Sequence, residues 1–133
     1  GAPIPETVEG SSLLPLARGE RVAWREYVHG EYHDIPALQS GMQYLTDGRR
    51  KYVWYPGAGR EEYFDLEADP KEMHELSRDP AYAGEVKNWR EILIRELEGR
   101  PEGFTDGRAL KKLPGATKAF LPGFEADASV IRR

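Results

Sequence analysis

Chemistry in this chain would have to start from three histidines, His29, His33 and His74, and from scattered carboxylates. A neutral imidazole can serve as a general base or a metal ligand near neutral pH. His29 and His33 stand four residues apart, the spacing that brings two zinc ligands together on one helix face. Here the segment His29-Gly30-Glu31-Tyr32-His33 reads as a strand running into a loop. At ~3.3 Å per residue the two rings would lie roughly 13 Å apart and could not share an ion. His74 falls in a turn-rich stretch and reads as a surface residue. The carboxylates Asp65, Glu67 and Asp69 alternate like the opening of an EF-hand loop, but Pro70 stands where the loop needs glycine. Asp69 and Asp79 each precede a proline and read as helix caps. No metal site is expected.

Nucleophiles are equally scarce. The chain has no cysteine, which removes thiol nucleophiles, thiolate metal sites and disulfides together. A serine nucleophile elbow needs Gly-x-Ser-x-Gly, and Gly10-Ser11-Ser12-Leu13 does not match it. Gly57-Ala58-Gly59 leads into Arg60-Glu61 with no strand-to-helix context, so it reads as a hairpin turn and not a phosphate cradle. Catalytic residues are therefore expected to be none. A small enzyme with a site around Tyr27 and His29 stays open as a rival reading.

The surrounding chain is one domain in size, 133 residues with 39% hydrophobic content. Its net charge of −4 argues against a nucleic-acid partner, which would call for a basic excess. No run approaches the ~18 apolar residues that span a membrane. The start, Gly1-Ala2-Pro3-Ile4-Pro5, lacks the basic and apolar regions of a signal peptide.

Residues 1–20 read as a connector punctuated by Pro and Gly, with Ser11–Leu16 as a helical turn or an extended arm. Residues 21–101 read as the domain. A strand is predicted over 21–32, with Val22, Trp24 and Val28 on one alternating face. After a loop at 33–41, Met42–Thr46 and Lys51–Tyr55 flank Asp47-Gly48, a strong hairpin signal because a type I′ turn needs positive φ, with Arg49 and Arg50 leaving the loop length open. Glu61–Leu66 is a fourth strand.

Asp69-Pro70-Lys71-Glu72 carries cap, first-position proline and a Glu at N3, which predicts a helical turn through Leu76. Asp79-Pro80 repeats the device. Tyr82, Val86, Trp89, Leu93 and Leu97 then form one apolar stripe on a helix of roughly 80–98, ended by Gly99 and Pro101. Residues 102–133 read as an irregular tail with apolar hooks at Phe104, Phe120-Leu121 and Phe124. The expected fold is α+β: a four-stranded antiparallel meander packed by one C-terminal amphipathic helix, with irregular arms at both ends. The second sheet face, with residues such as Tyr44, Trp54 and Tyr63 or their alternates, is expected to be solvated or to pack on something outside the chain.

A longer string is more specific. Thr46-Asp47-Gly48-Arg49-Arg50-Lys51-Tyr52 is followed by Phe64-Asp65-Leu66-Glu67-Ala68-Asp69-Pro70-Lys71-Glu72 and by Leu76-Ser77-Arg78-Asp79-Pro80-Ala81-Tyr82. Upstream stands Glu9-Gly10-Ser11-Ser12-Leu13-Leu14-Pro15; downstream, Arg100-Pro101-Glu102-Gly103-Phe104-Thr105-Asp106-Gly107. Together these resemble the C-terminal subdomain of the arylsulfatase (type I sulfatase) family over roughly residues 3–110. Glu9 replaces the family's usual Asp.

The resemblance implies a two-part sulfuric ester hydrolase. Its N-terminal α/β part would hold calcium and the Cys/Ser-x-Pro-x-Arg motif that supplies formylglycine. No such motif occurs here, so this chain is expected to carry no cofactor and to be inactive alone. Its partner would be the N-terminal catalytic domain, on which it would pack while helping wall the substrate cleft; an isolated piece could also self-associate. The resemblance places the loop after the first strand near the cleft mouth, making His33 the substrate-proximal candidate, with Tyr32 and Gln39 behind it. The alternative reading is a stand-alone protein-interaction module that uses the sheet as a docking surface.

Overall fold

The computed structural model describes residues 5, 6, 8, 10–32 and 41–113. A short helix, α1 (Leu14–Ala17), leads to four strands: β1 (Val28–Tyr32), β2 (Met42–Thr46), β3 (Arg50–Tyr55) and β4 (Arg60–Asp65). A 3-10 turn at Pro80–Tyr82 then opens α2 (Ala83–Glu96). The strands form one antiparallel sheet in the order β1-β2-β3-β4, the expected meander. The first strand is shorter than the alternation suggested. Val28 pairs with Thr46, and β2 turns away at Asp47, so residues before Val28 have no strand to pair with.

The β2–β3 connection is built by side chains. Asp47 Oδ1 accepts from the amides of Arg49 at 2.8 Å and Arg50 at 2.7 Å. Thr46 Oγ1 accepts from Gly48 N and donates to the Arg50 carbonyl. Only Gly48 takes positive φ, at 86°. The paired residues are Thr46 and Lys51. The loop length that Arg49 and Arg50 left open is thus that of a longer Asx-type loop, because the Asp47 carboxylate itself satisfies the amides.

The helical turn expected at Asp69 does not form. Asp69 Oδ2 accepts from His74 N at 2.8 Å, and Glu72 has φ 55°, a left-handed backbone that no helix accepts. The Glu72 carboxylate holds Lys51 Nζ of β3 at 2.8 Å instead of closing a capping box. The segment folds back so that Leu76 N reaches the Tyr63 carbonyl at 2.9 Å. Tertiary contacts here override a local helix signal. The second cap is as expected: Asp79 Oδ1 accepts from Ala81 N at 2.9 Å at the entry to the helical segment.

The core lies between the sheet and α2. Leu45, Tyr52, Trp54 and Tyr63 from the sheet meet Val86, Trp89, Leu93 and Leu97, and Phe104 of the following segment plugs the same cluster. Trp54 and Tyr63 therefore sit on the helix-covered face. Strand register explains this: Leu45 pairs with Tyr52, which pairs with Tyr63. The opposite face carries Tyr44, Val53 and Phe64, with Tyr44 lying across Gly30 so closely that a Cβ there would come within 2.3 Å of its ring.

Candidate functional site

Of the site candidates named from the sequence, Tyr32 lies among the described residues, at the end of β1. Tyr32 closes β1 opposite Met42 and is half exposed. His33 and Gln39 lie outside the described residues. Behind Tyr32, on the helix-covered face, runs a polar relay. His29 Nε2 meets Gln43 Oε1 at 2.8 Å, and Gln43 Nε2 donates to Glu31 Oε2 at 3.2 Å. Arg100 Nη1 donates to Glu31 Oε2 at 2.8 Å, and its Nη2 donates to Glu102 Oε1 at 2.6 Å. Gln43 is 1% exposed, so both ends of its amide must be satisfied, and they are. The Glu102 carboxylate raises the pKa of Arg100, and Arg100 in turn holds Glu102 below the usual carboxylate range. The relay ties β1 and β2 to the segment after α2.

Tyr27 and His29 do come together, lining one open groove of about 680 Å³ with Gly10, Ser11, Trp24, Arg25, Glu26 and Glu96. Tyr27 donates its hydroxyl to Glu96 Oε2 at 3.1 Å. Burial, then that carboxylate, pushes the phenol pKa up. Among the described residues no group of three or more His, Cys, Asp or Glu could hold a metal ion.

A second ionic set lies beneath α2. Arg90 Nε and Nη2 donate to both oxygens of Glu61, at 2.8 and 2.5 Å, and Tyr52 donates to Glu61 Oε2 at 2.7 Å. Burial alone would raise the Glu61 pKa, yet these donors lower it. Tyr63 donates to Glu85 Oε2, and Arg50 bridges Asp65 and Glu67 with Glu85 beside it. The Tyr52 hydroxyl is thereby satisfied by Glu61 of β4 and the Tyr63 hydroxyl by Glu85 of α2. The charges Glu85 and Arg90, which the stripe places away from the apolar face, face the sheet after all. These pairs hold β3 and β4 to α2.

Sequence reasoning missed the relay because its members come from β1, β2 and the segment after α2. One signal was available: Gln43 shares the core face with Leu45 by alternation, and a buried amide demands partners.

Comparison with known proteins places this geometry. The family model described as N-sulphoglucosamine sulphohydrolase, C-terminal, matches residues 1–98. An arylsulfatase of Clostridium perfringens is 43% identical over 109 residues, covering 82% of this chain and 22% of that protein. The multifunctional alkaline phosphatase superfamily protein PehA of Trinickia caryophylli is 35% identical over 105 residues, covering 67% and 20%. A solved 2-O GAG sulfatase superposes with a TM-score of 0.64 at 29% identity, covering 71% of this chain and 21% of that one. The chain spans about a fifth of the length of these relatives.

Proposed function

Because the chain belongs to the N-sulphoglucosamine sulphohydrolase C-terminal family, we propose that it works as the C-terminal domain of a larger enzyme that hydrolyses sulfate esters. In this reading the arm at 1–20 connects to a catalytic part. The domain at 21–101 packs on that part and walls its cleft, and the tail at 102–133 comes after it. The loop at 33–41 borders the substrate, with His33 as the side chain nearest to it. The reaction itself belongs to the rest of the parent, where calcium and a formylglycine are expected. The residues of this chain do not fit either group: it has no cysteine or Ser-x-Pro-x-Arg to become formylglycine, and the described residues gather no metal-ligand cluster. Its own contribution is positional, a rigid relay from His29 to Glu102 that fixes where the loop emerges.

The observation that carries this reading is the match of most of the chain to only about a fifth of an arylsulfatase, at 43% identity. The test is to isolate the natural polypeptide and assay it beside this chain on an aryl sulfate and an aryl phosphate. A longer protein containing Cys- or Ser-x-Pro-x-Arg that turns over the sulfate ester, with no turnover by the chain alone, is the expected result. Preference for the phosphate would move the parent toward the chemistry of its phosphatase-superfamily relative. A natural protein that is no longer than this chain would leave the interaction-module reading in its place.

A further inference from the structure

We propose that the cleft where the turn at 105–110 meets β3 and α2 is a binding site for a small oxyanion, of the carboxylate or phosphate class. Trp54, Arg90 and Arg108 are its donors. The inference goes beyond the C-terminal-domain reading above and does not depend on it.

The cleft holds about 230 Å³. Ile94 and Leu110 give it apolar walls, while Trp54, Arg90 and Arg108 bring donors and Glu61 brings a carboxylate. That volume is below the ~300–1,000 Å³ of pockets that enclose a whole drug-sized ligand. It suits a single functional group or a small ion.

Each donor has capacity left over. Trp54 is 7% exposed, and its Nε1 is, among the described residues, the one buried side-chain nitrogen or oxygen without a hydrogen-bond partner. An indole N–H can only donate, so the missing partner must be an acceptor. A buried donor left unmet is destabilising, and an acceptor brought into the cleft would relieve that cost. Arg90 gives Nε and Nη2 to Glu61, and its Nη1 has no partner among the described residues. The Arg108 guanidinium makes neither an ion pair nor a hydrogen bond among them.

Charge selects the occupant. Among the described residues of the lining, two guanidiniums meet one carboxylate, which leaves positive charge in excess. Glu61 cannot balance both, because Arg90 and Tyr52 already occupy its two oxygens. Asp106, at the same turn, is taken up by the amides of Arg108 and Ala109 and by Lys111. Lys112 covers Gly59 at the rim and makes no ion pair among the described residues, so it adds to the positive field. A guanidinium fork matches the paired oxygens of a carboxylate or phosphate. Apolar walls strengthen the attraction by keeping water away from it.

The test follows the indole N–H resonances of the full chain by NMR during titration with sodium phosphate and with sodium acetate, at constant ionic strength. The Trp54 signal is identified by its loss in Trp54→Phe. We expect a saturating shift at Trp54 with at least one of the two anions, with a Kd in the millimolar range, and none at Trp24. The anion that saturates names the class. Arg108 is exposed, so Arg108→Gln should fold normally and weaken binding at least tenfold. Arg21, also exposed, lies outside the cleft, and Arg21→Gln should leave binding unchanged. A Trp54 shift that grows linearly with both anions, or that sodium chloride reproduces, overturns the inference. So does a response that Arg108→Gln leaves intact, or that Arg21→Gln weakens equally, since general charge attraction would then explain it.

Discussion

The same four residues, Thr-Asp-Gly-Arg, occur twice, at 46–49 and at 105–108, and fold the same way both times. In each, the Asp carboxylate accepts two amides three residues or fewer ahead: Asp47 from Arg49 and Arg50, Asp106 from Arg108 and Ala109 at 3.0 Å. In each, the Thr hydroxyl accepts from the Gly amide and donates to a carbonyl four residues on. In each, the glycine has positive φ, 86° and 80°. Their flanks differ. The first turn joins two strands that stay paired along their length, while the second closes a single bridge, Thr105 to Leu110. Before Thr105 stand Pro101, which lacks an amide donor, and Gly103 with φ 73°, so no strand forms to extend a ladder.

The two turns also carry different loads. Arg50 at the first reaches its cross-strand partner Asp65 at the end of β4 and Glu67 just beyond it. The second leans on the outside of the domain, where Arg108, Ala109 and Leu110 close a cleft of about 230 Å³ against Trp54, Glu61, Arg90 and Ile94. A turn is thus a portable local device. Whether it nucleates a sheet or clips a tail depends on what its flanks can pair with.

The largest test of this contrast is Phe104→Ala. Phe104 immediately precedes the second turn and is fully buried in the core. Its truncation should cost about 3–5 kcal/mol, read by urea unfolding. A loss under about 1 kcal/mol would mean that the tail merely rests on the domain.

Next come the two glycines. Gly48→Ala forces a left-handed alanine into a turn on which paired strands depend, and should lower global stability by about 1–2 kcal/mol. Gly107→Ala meets the same backbone penalty, and its Cβ would stand 2.9 Å from Glu98 Oε1. It should loosen exchange locally at 105–110 with a smaller change in the unfolding midpoint. Equal global losses would show that both turns belong to one cooperative unit.

The smallest expected effect is acid-driven. Amides of Ala109 and Arg108 hold the Asp106 carboxyl below its usual range. A depressed folded pKa gives support that is present above the unfolded value, about 3.9, and is lost as pH falls through the folded value. The second turn should therefore fray as the medium is acidified below about pH 4, seen as faster exchange at Arg108 and Ala109. Asp106→Asn, which keeps an acceptor and cannot titrate, should remove that acid dependence.

Elements with local causes were legible in advance. Asp79-Pro80 capped the helical segment where expected, the stripe from Val86 to Leu97 marked the buried face, and Asp47-Gly48 marked a hairpin. Asp69-Pro70 carried an equally good cap and made no helix, because Lys51 drew Glu72 across the sheet and the β4 edge drew Leu76 back to Tyr63. The candidate site divided in the same way. Strands β1 and β2 could be read from the alternation on either side of 33–41, but the His29–Gln43–Glu31–Arg100–Glu102 relay joins residues up to 73 positions apart and has no local signature.

The sequence by itself determined the meander, its turns, the amphipathic helix and the family, since each rests on neighbours in the chain or on a continuous string of residues. Tertiary structure alone decided which sheet face the helix covers, where Leu76 folds back on β4 and which charges meet. Those outcomes depend on strand register and long-range contact, where the energy of burying Tyr52, Tyr63 and Phe104 together outweighs any one residue's local preference.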